Sequence, residues 1–461
     1  MSELRFSRPR LRRLGILIAA LVVPAFVYAC GGNDDVLGPP DELPSTNDGD
    51  AGPKPIATSR PQEEAEAPKV LPPSSIALGD DFACVVAKDR SVWCWGKNDV
   101  GQLGRDPAAT GSCGTFPCSP LPSKVEGLPR IATVKAGKDF ACALDDKDQL
   151  WCWGNNAKGQ IQGRDVTSRF TPELVAERVA QVEAAGEHAC VLLVDGAVFC
   201  WGDNACPLFG RAGEAVIGST RVPGLFPQAS ISLGPDQMCT VALDSSVLCW
   251  GTDHKGSLGH PLPSDATQCN GLPFDPTPKR VAATPEGTVL TGAAEVRVGQ
   301  GIVCLHTTDG VIKCWGDNSH GGLGQGIPDT NEHRVPVDVP QLKTLQLAVA
   351  GETACAKVAD RLVCWGDGRY GQLENVTDTT CGGTACRPLA HVVPSQNPVR
   401  EIALSPYAVA TIKPDASLWI WGKNDSAETG APQAETTNVS CAGGSTCIPS
   451  PRMLTTAPPL E

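Results

Sequence analysis

The chain has 461 residues and a formal net charge of −13 at pH 7, with 41% hydrophobic and 5% aromatic residues. Nucleic-acid binding needs clustered lysine and arginine, so a balance this acidic argues against a nucleic-acid partner. We interpret the charge as a source of solubility for an exposed domain.

The N-terminus predicts a secretory leader. The basic stretch RFSRPRLRR is followed by the sixteen-residue apolar run LGILIAALVVPAFVYA and then by Cys30. This run is too short and too proline-interrupted for a comfortable transmembrane helix. We predict residues 1–29 as a lipoprotein signal peptide, because Val27–Cys30 resembles the bacterial lipoprotein box, in which cleavage precedes a lipidated cysteine. An uncleaved signal anchor is the alternative.

Lipidation of Cys30, with palmitate as one acyl group, would attach the protein to a membrane. Gly31 rather than aspartate follows this cysteine, which favours the bacterial outer membrane and leaves periplasmic and surface-exposed orientations both open. Residues 30–75 are rich in proline, acidic residues, serine and glycine and contain few large apolar side chains. Such a composition cannot form a core, so we expect a lipid-anchored flexible tether.

From Ile76 onward the chain repeats one motif seven times. Two of the copies read IALGDDFACVVAKDRSVWCWGKNDVGQLG from Ile76 and HACVLLVDGAVFCWGDN from His188. The spacing between copies varies mainly in the loop after each Trp-Gly, as in repeat arrays whose insertions collect on one face. The tryptophans of the Trp-Gly pairs are Trp95, Trp153, Trp201, Trp250, Trp315, Trp365 and Trp421.

Each copy reads as short strands with period-two alternation, and a further proline-led strand recurs between copies. About four short strands per unit predict the blade of a β-propeller. We therefore expect residues 76–461 to form an all-β, seven-bladed propeller with almost no helix. The seven tryptophans are expected to fill the gaps between adjacent blades.

The C-terminus predicts how the ring closes. No convincing proline-led strand precedes the first copy, while CIPSPRML near the C-terminus resembles CSPLPSKV after the first copy. We expect Pro451–Leu454 to supply the outer strand missing from blade one, because such a join would remove exposed sheet edges.

The seven motifs resemble the repeats of the regulator of chromosome condensation family, over about residues 76–454. The resemblance implies a seven-bladed propeller but not one activity, because members of this family differ in function. A shared fold does not by itself decide function.

Cysteine spacing predicts stapled hairpins. Residues that face each other across an antiparallel hairpin lie within the range that a disulfide accepts. The predicted hairpin staples are Cys84–Cys94, Cys142–Cys152, Cys190–Cys200, Cys239–Cys249, Cys304–Cys314 and Cys355–Cys364. Blade seven has Ala410 and Ile420 at these positions and should lack a staple.

Six further cysteines form close pairs in the loops after Trp-Gly, and we predict the disulfides Cys113–Cys118, Cys381–Cys386 and Cys441–Cys447. Cys206 and Cys269 are left over in the corresponding loops of blades three and four, where a bridge between them is plausible. Zinc binding is the competing interpretation, but its cysteines are usually two to four residues apart. Ten disulfides fit an oxidising, extracytoplasmic site.

Catalytic and metal-binding signatures were not found: the sequence lacks HExxH, GxSxG and P-loop motifs. The seven histidines are scattered, and we interpret His188 and His306 as packed strand residues. LDDKDQL at Leu144 carries three carboxylates in a turn, too few oxygen ligands in register for a calcium loop. We therefore predict a non-enzymatic protein without metal or cofactor.

The pattern favours a monomeric, lipid-anchored binding module of the bacterial cell envelope. Long, disulfide-pinned loops on a stiff scaffold favour recognition of an extracytoplasmic protein. The alternative is a carbohydrate-binding or structural envelope protein that holds cell-wall or matrix glycan through exposed aromatics such as Tyr370 and Phe209. A competing interpretation of the pinned loops is that their disulfides serve only to resist proteolysis.

Overall fold

In the computed structural model the described residues are 76–161, 166–209, 214–374, 380–431 and 439–455. They form 32 β-strands in seven antiparallel sheets. Helix within this part of the chain is limited to three single turns of 3-10 type, Pro107–Ala109, Pro394–Gln396 and Ala442–Gly444. The predicted leader, residues 1–29, and the predicted tether, residues 30–75, lie outside the described residues.

The sheets follow one another along the chain, and we number them as blades. Blade one contains β1 (Ile76–Leu78), β2 (Phe82–Val86), β3 (Val92–Lys97), β4 (Gly111–Cys113) and β5 (Phe116–Lys124). Blade two contains β6 (Ile131–Ala136), β7 (Phe140–Asp145), β8 (Leu150–Asn155) and β9 (Ser168–Ala176). Blade three contains β10 (Val179–Ala185), β11 (His188–Leu193), β12 (Val198–Asp203) and β13 (Val216–Arg221). Blades four and five contain β14 (Gln228–Leu233), β15 (Gln237–Ala242), β16 (Val247–Thr252), β17 (Thr267–Cys269), β18 (Leu272–Arg280); and β19 (Ala293–Val298), β20 (Ile302–Thr307), β21 (Val311–Gly316), β22 (Val337–Lys343). Blades six and seven contain β23 (Leu347–Ala350), β24 (Thr353–Val358), β25 (Arg361–Asp367), β26 (Thr380–Cys381), β27 (Thr384–Val392); and β28 (Glu401–Leu404), β29 (Ala408–Ile412), β30 (Leu418–Lys423), β31 (Val439–Ser440), β32 (Thr446–Met453).

The chain builds every blade from the inside outward. In blade one the order is β1-β2-β3-β5, with the short β4 at the outer edge. The first strands of successive blades contact one another around the ring, and the contact of β28 with β1 completes it. The all-β, seven-bladed propeller predicted from the repeats is confirmed.

Tryptophan fills each gap between neighbouring blades. The seven tryptophans of the Trp-Gly pairs are fully buried. Each indole N–H donates a hydrogen bond of 2.7–3.0 Å to a backbone carbonyl in the loop of the preceding blade. The bond from Trp95 to the Glu428 carbonyl, 2.9 Å, joins blade one to blade seven.

The glycine after each tryptophan allows a close approach between the third strand of a blade and the turn that leads into the second strand. Gly96 has a φ of +103°, and a Cβ at this position would lie 2.5 Å from the carbonyl oxygen of Asp81. Only glycine tolerates both constraints without strain. The register between β3 and β5 shifts beside this residue, which lets the chain leave the strand sharply.

The predicted closure by the C-terminal strand is wrong. Residues 451–453 end β32, which pairs with β30 of its own blade, with Trp419 opposite Met453. The likeness between CIPSPRML and CSPLPSKV arises because both are fourth strands, each paired with the Trp-Gly strand that precedes it. The ring closes instead by packing: Ile76 and Leu78 share an apolar cluster with Ala403 and Ile412.

Candidate binding face

Two kinds of connection share one end of the propeller, which we call the loop face: the turns between first and second strands, and the long loops after Trp-Gly. Consecutive strands of these sheets are antiparallel, so both connections emerge at the same end of each blade. The opposite end, which we call the turn face, carries the turns between second and third strands and the connections between blades.

Acidic residues recur in the loop-face turns. Five of the seven copies carry a carboxylate three residues before the first cysteine: Asp81, Asp139, Glu187, Asp236 and Glu352. We call these five residues the acidic ring. Sequence reasoning missed this ring, although its fixed position in turns of otherwise variable sequence was a usable signal. Aspartates of the turn face play a different part, since Asp195, Asp244 and Asp415 each accept a hydrogen bond from a backbone N–H two residues further on.

Four residues of the acidic ring form ion pairs with basic side chains. In three of these pairs the basic side chain belongs to a neighbouring blade. Lys423 of blade seven lies 2.6 Å from Asp81, and Lys138 of blade two lies 3.9 Å from Glu187. The third pair that joins two blades is His320 with Glu352. Within blade four, His254 lies 2.9 Å from Asp236. The pairs fix the turns relative to one another, and two of them are charged only when a histidine is protonated.

Carboxylates are concentrated where blades seven, one and two meet. Burial, together with the charges of Asp139 and Asp81, raises the pKa of Asp80 to about 7. Burial also raises the pKa of Asp139. Nearby, burial and the charge of Asp81 raise the pKa of Glu428 to about 8. This part of the face therefore retains protons at neutral pH and becomes more negative as the pH rises.

Aromatic rings stand beside these charges. Tyr370 and Tyr407 pack edge to face with centroids 5.2 Å apart, and the ammonium of Lys423 lies 5.0 Å from the centre of the Tyr407 ring. Lys97 lies 5.8 Å from the centre of the Phe116 ring. Both ring–ammonium contacts are cation–π interactions within the chain, so the rings and the charges beside them form one mixed aromatic and polar surface.

Tyr370 is half-buried on the loop face, but Phe209, the other aromatic expected to be exposed, is fully buried. Its ring packs edge-on against His188, with centroids 5.5 Å apart. The Phe209 amide donates to the side chain of Asn204, as the Leu103 amide donates to Asn98 in blade one. Phe209 thus occupies the leucine position of the repeat, and the expectation that it grips glycan is wrong.

A second polar network crosses the central channel between the innermost strands. Arg297 reaches from blade five to the carboxylate of Glu183 on blade three, 3.4 Å away, and donates to the Leu347 carbonyl of blade six. Lys135 of blade two lies 3.0 Å from the same carboxylate, and Glu295 also pairs with Arg297. The charges in the channel are thus paired with one another. Their visible role is to join four blades.

The histidines and carboxylates of the sequence are not gathered into a metal centre. Among the described residues, no group of three or more histidine, cysteine, aspartate or glutamate side chains could hold a metal ion. His188 is buried with its Nε2 3.1 Å from the Gly234 carbonyl oxygen, and burial lowers its pKa. His306 is also buried and lies 3.4 Å from Glu295.

The structure joins the twenty cysteines of the described residues into ten pairs, and the stapled blades match the expectation. The six hairpin staples have Cα–Cα distances of 4.1–4.2 Å. Cys113–Cys118, Cys381–Cys386 and Cys441–Cys447 pin three loops of the loop face. Cys206 and Cys269, with Cα atoms 5.7 Å apart, link blade three to blade four. Cys30 lies outside the described residues.

The fold and its internal repeats define a seven-bladed β-propeller with a variable loop face. The chain belongs to the RCC1-like domain family, whose profile matches residues 26–381. Within the described residues, no helix has the length and apolar character needed to cross a bilayer.

Two solved structures show the likeness of fold. Prp20p from Saccharomyces cerevisiae, described with its binding to Gsp1p and histones, has 17% identity and a TM-score of 0.62 over 83% of this chain and 87% of that chain. Yeast RCC1 (Prp20) bound to Kap60 has 17% identity and a TM-score of 0.63 over 86% of this chain and 91% of that chain.

Curated relatives match over a shorter stretch. The ultraviolet-B receptor UVR8 of Arabidopsis thaliana is 34% identical over 103 residues, which is 22% of this chain and 21% of the receptor. The human E3 ubiquitin-protein ligase HERC2 is 32% identical over 102 residues, 22% of this chain and 2% of the ligase. The match therefore spans about a fifth of one relative and a small part of the other.

Proposed function

We propose that this protein is a non-enzymatic lipoprotein of the bacterial cell envelope whose loop face recognises another protein outside the cytoplasm. The observation that carries the proposal is a set of long loops pinned by disulfides on one end of a closed ring. Pinning reduces the conformational entropy that a loop loses when it docks, so such loops suit recognition.

The surroundings of these loops support a protein partner. Carboxylates of the acidic ring lie beside half-buried tyrosines, a mixture that suits a partner surface bearing lysine or arginine. Prp20p, which shares the fold, is described with protein partners, Gsp1p and histones. Partners of this chain are proposed from its own loop face.

The extracytoplasmic location is supported by cysteine usage. All twenty cysteines in the described residues are paired, and disulfides of this number persist in oxidising compartments. Lipidation at Cys30 then explains retention at the membrane, so Cys30→Ser should release the protein into the soluble extracytoplasmic fraction.

Capture with matched variants tests the recognition. The oxidised chain from residue 30 onward, carrying Cys30→Ser and a tag, is crosslinked to envelope and secreted fractions. A partner of the loop face should be displaced by excess untagged chain and bind about tenfold more weakly to Glu187→Lys, a loss of about 1.4 kcal/mol, because the new lysine repels the basic groups of the partner. Glu126→Lys, an exposed change on the turn face, should bind as the unaltered chain does.

The same capture separates the glycan alternative. Retention of purified wall polysaccharide, without protein and without sensitivity to Glu187→Lys, would contradict recognition of a protein. Failure to capture any displaceable protein would also contradict it.

A further inference from the structure

Large apolar side chains project from one arc of the turn face. Phe226 is 83% exposed, Leu243 is 67% exposed and Val194 is 52% exposed. Phe226 lies in the connection between blades three and four, while Val194 and Leu243 lie in the turns between second and third strands of the same two blades. Leu345, 65% exposed, lies further round on the same face.

Hydrogen bonds hold these three loops next to one another. The Gln228 N–H donates to the Gly196 carbonyl at 2.9 Å, which ties the Phe226 loop to the Val194 turn. Gln228 also pairs with Ala242, the residue before Leu243. The three apolar residues therefore lie on adjoining loops of one face, and we call this region the apolar arc.

The backbone beneath each apolar residue is fixed. Val194 donates from its N–H to the Arg178 carbonyl at 3.0 Å. Leu225 packs against a core cluster, while its neighbour Phe226 faces outward. In the Leu243 turn, Asp244 accepts from the Ser246 N–H at 3.0 Å. These side chains are therefore presented by ordered turns, which reduces the entropy lost on docking.

Charge is distributed unevenly on the turn face. The connection Val222–Gln228 carries no charged residue, and neither does the connection 344–346 that holds Leu345, while the turns that hold Val194 and Leu243 carry one carboxylate each, Asp195 and Asp244. The turns of blades one and two and the connection between these blades are more densely charged, since they hold Lys88, Asp89, Arg90, Glu126, Arg130, Asp146, Lys147 and Asp148. An apolar patch beside a charged region is typical of an interaction surface.

The position of the membrane-proximal chain suggests what covers this patch. The described chain begins at Ile76, and β1 runs from the turn face toward the loop face. The chain therefore enters the first strand of the propeller at the turn face. A bilayer that holds the proposed lipid at Cys30 can thus meet the apolar arc on the face where the chain enters, without the intervening residues having to pass round the ring.

We infer that the apolar arc of Val194, Phe226 and Leu243 rests on a lipid surface, with the three side chains inserted at the boundary between headgroups and acyl chains. Apolar side chains at interfacial depth bind a bilayer reversibly and strengthen a single lipid anchor. The contact leaves the loop face directed away from the membrane, toward its protein partner. The inference uses the proposed anchorage to choose its occupant, but its test does not depend on lipidation.

Vesicle flotation tests the contact without the covalent anchor. The oxidised chain from residue 30 onward, carrying Cys30→Ser, is mixed with phosphatidylcholine vesicles, with and without phosphatidylglycerol. We expect part of the protein to float with both vesicles, and Phe226→Asp and Leu243→Asp each to lower the partition about tenfold. Ile327→Asp is the matched control, because Ile327 is 75% exposed but lies on the loop face.

Three outcomes would overturn the inference. The unaltered chain could stay with the soluble fraction, the two arc variants could float as well as it does, or Ile327→Asp could lose as much binding as they do. Partner capture by the loop face is measured separately, so failure of flotation leaves the proposed recognition function intact.

Discussion

Asn98 and its counterparts organise the base of the loops after Trp-Gly. The Asn98 side chain accepts from the Leu103 N–H at 3.0 Å and donates to the Arg105 carbonyl. Asn156 accepts in the same way from Ile161, and Asp253 accepts from Leu258. These bonds hold the start of each loop in one shape while its outer part varies, which is how one repeat can present different side chains to a partner.

Histidine at two positions makes the acidic ring sensitive to pH. Burial lowers the pKa of His254, but its hydrogen bond to Asp236 and the charges of Asp236, Asp317 and Asp253 outweigh this effect and raise the pKa overall. A raised folded-state pKa means that the protonated histidine stabilises the fold at pH below about 6.5, and that this contribution is lost as the pH rises through the raised pKa.

His254→Gln should therefore destabilise the protein more at pH 5.5 than at pH 8.5. The expected difference is at most about 1 kcal/mol, because the pair is only partly buried. Urea unfolding at the two pH values measures it, and comparing the variant with the unaltered chain removes the separate titrations of Asp80 and Glu428. In a chain that already carries Asp236→Asn, His254→Gln should destabilise the protein equally at the two pH values. If His254→Gln lowered the free energy of unfolding of the otherwise unaltered chain equally at both pH values, the ion pair with Asp236 would be contradicted.

At the scale of one blade, the paired second and third strands decide where a staple can form. In six blades the opposed positions are cysteines, with Cα atoms 4.1–4.2 Å apart. In blade seven Ala410 lies opposite Ile420 in the same register. Sequence spacing could locate all six staples because a short hairpin fixes its own register.

Blade seven should accept the missing staple. Ala410→Cys with Ile420→Cys is expected to form a disulfide and raise the free energy of unfolding by about 1 to 2 kcal/mol. Closing a loop of this length contributes about 3 kcal/mol, and loss of the buried Ile420 side chain costs about 1 kcal/mol. Mass spectrometry and denaturant unfolding check the result. The single change Ile420→Cys introduces a cysteine without a partner and should lower the free energy of unfolding. If the double variant were destabilised to the same extent, the opposed positions 410 and 420 would not form a stabilising disulfide.

At the scale of the whole molecule, the ring is closed by packing and by charge. Trp95 donates across the junction between blades seven and one, as the other six tryptophans donate across theirs. Lys423 and Asp81 form an ion pair across the same junction. Among the described residues no strand is shared between the two blades, so the stability of this junction depends on side chains.

Trp95→Phe should be as costly as the same change within the ring. We expect it to lower the free energy of unfolding by about 2 to 3 kcal/mol, because it removes a buried hydrogen bond and leaves a cavity. Trp250→Phe, between blades three and four, is the matched control and should cost the same amount. Denaturant unfolding compares the two, and a much smaller effect of Trp95→Phe would mean that the ring is not sealed where blades seven and one meet.

The sequence by itself determined the seven blades, the residues that fill the gaps and the hairpin staples. These features depend on contacts that recur in each copy, so their periodicity is visible in one dimension. For example, a turn of only a few residues brings Cys190 and Cys200 opposite each other on neighbouring strands.

Only the tertiary structure decided which strand belongs to which blade, where Phe209 lies and which charges meet. The sequence of the C-terminal strand is compatible with pairing to blade one or to blade seven, and only the hydrogen bonds to β30 show that it belongs to blade seven. The pairs of Lys423 with Asp81 and of Arg297 with Glu183 join residues far apart in the chain. Their proximity is fixed by the closed ring, because a repeat pattern encodes the contacts within a unit but not those that a circle of units creates.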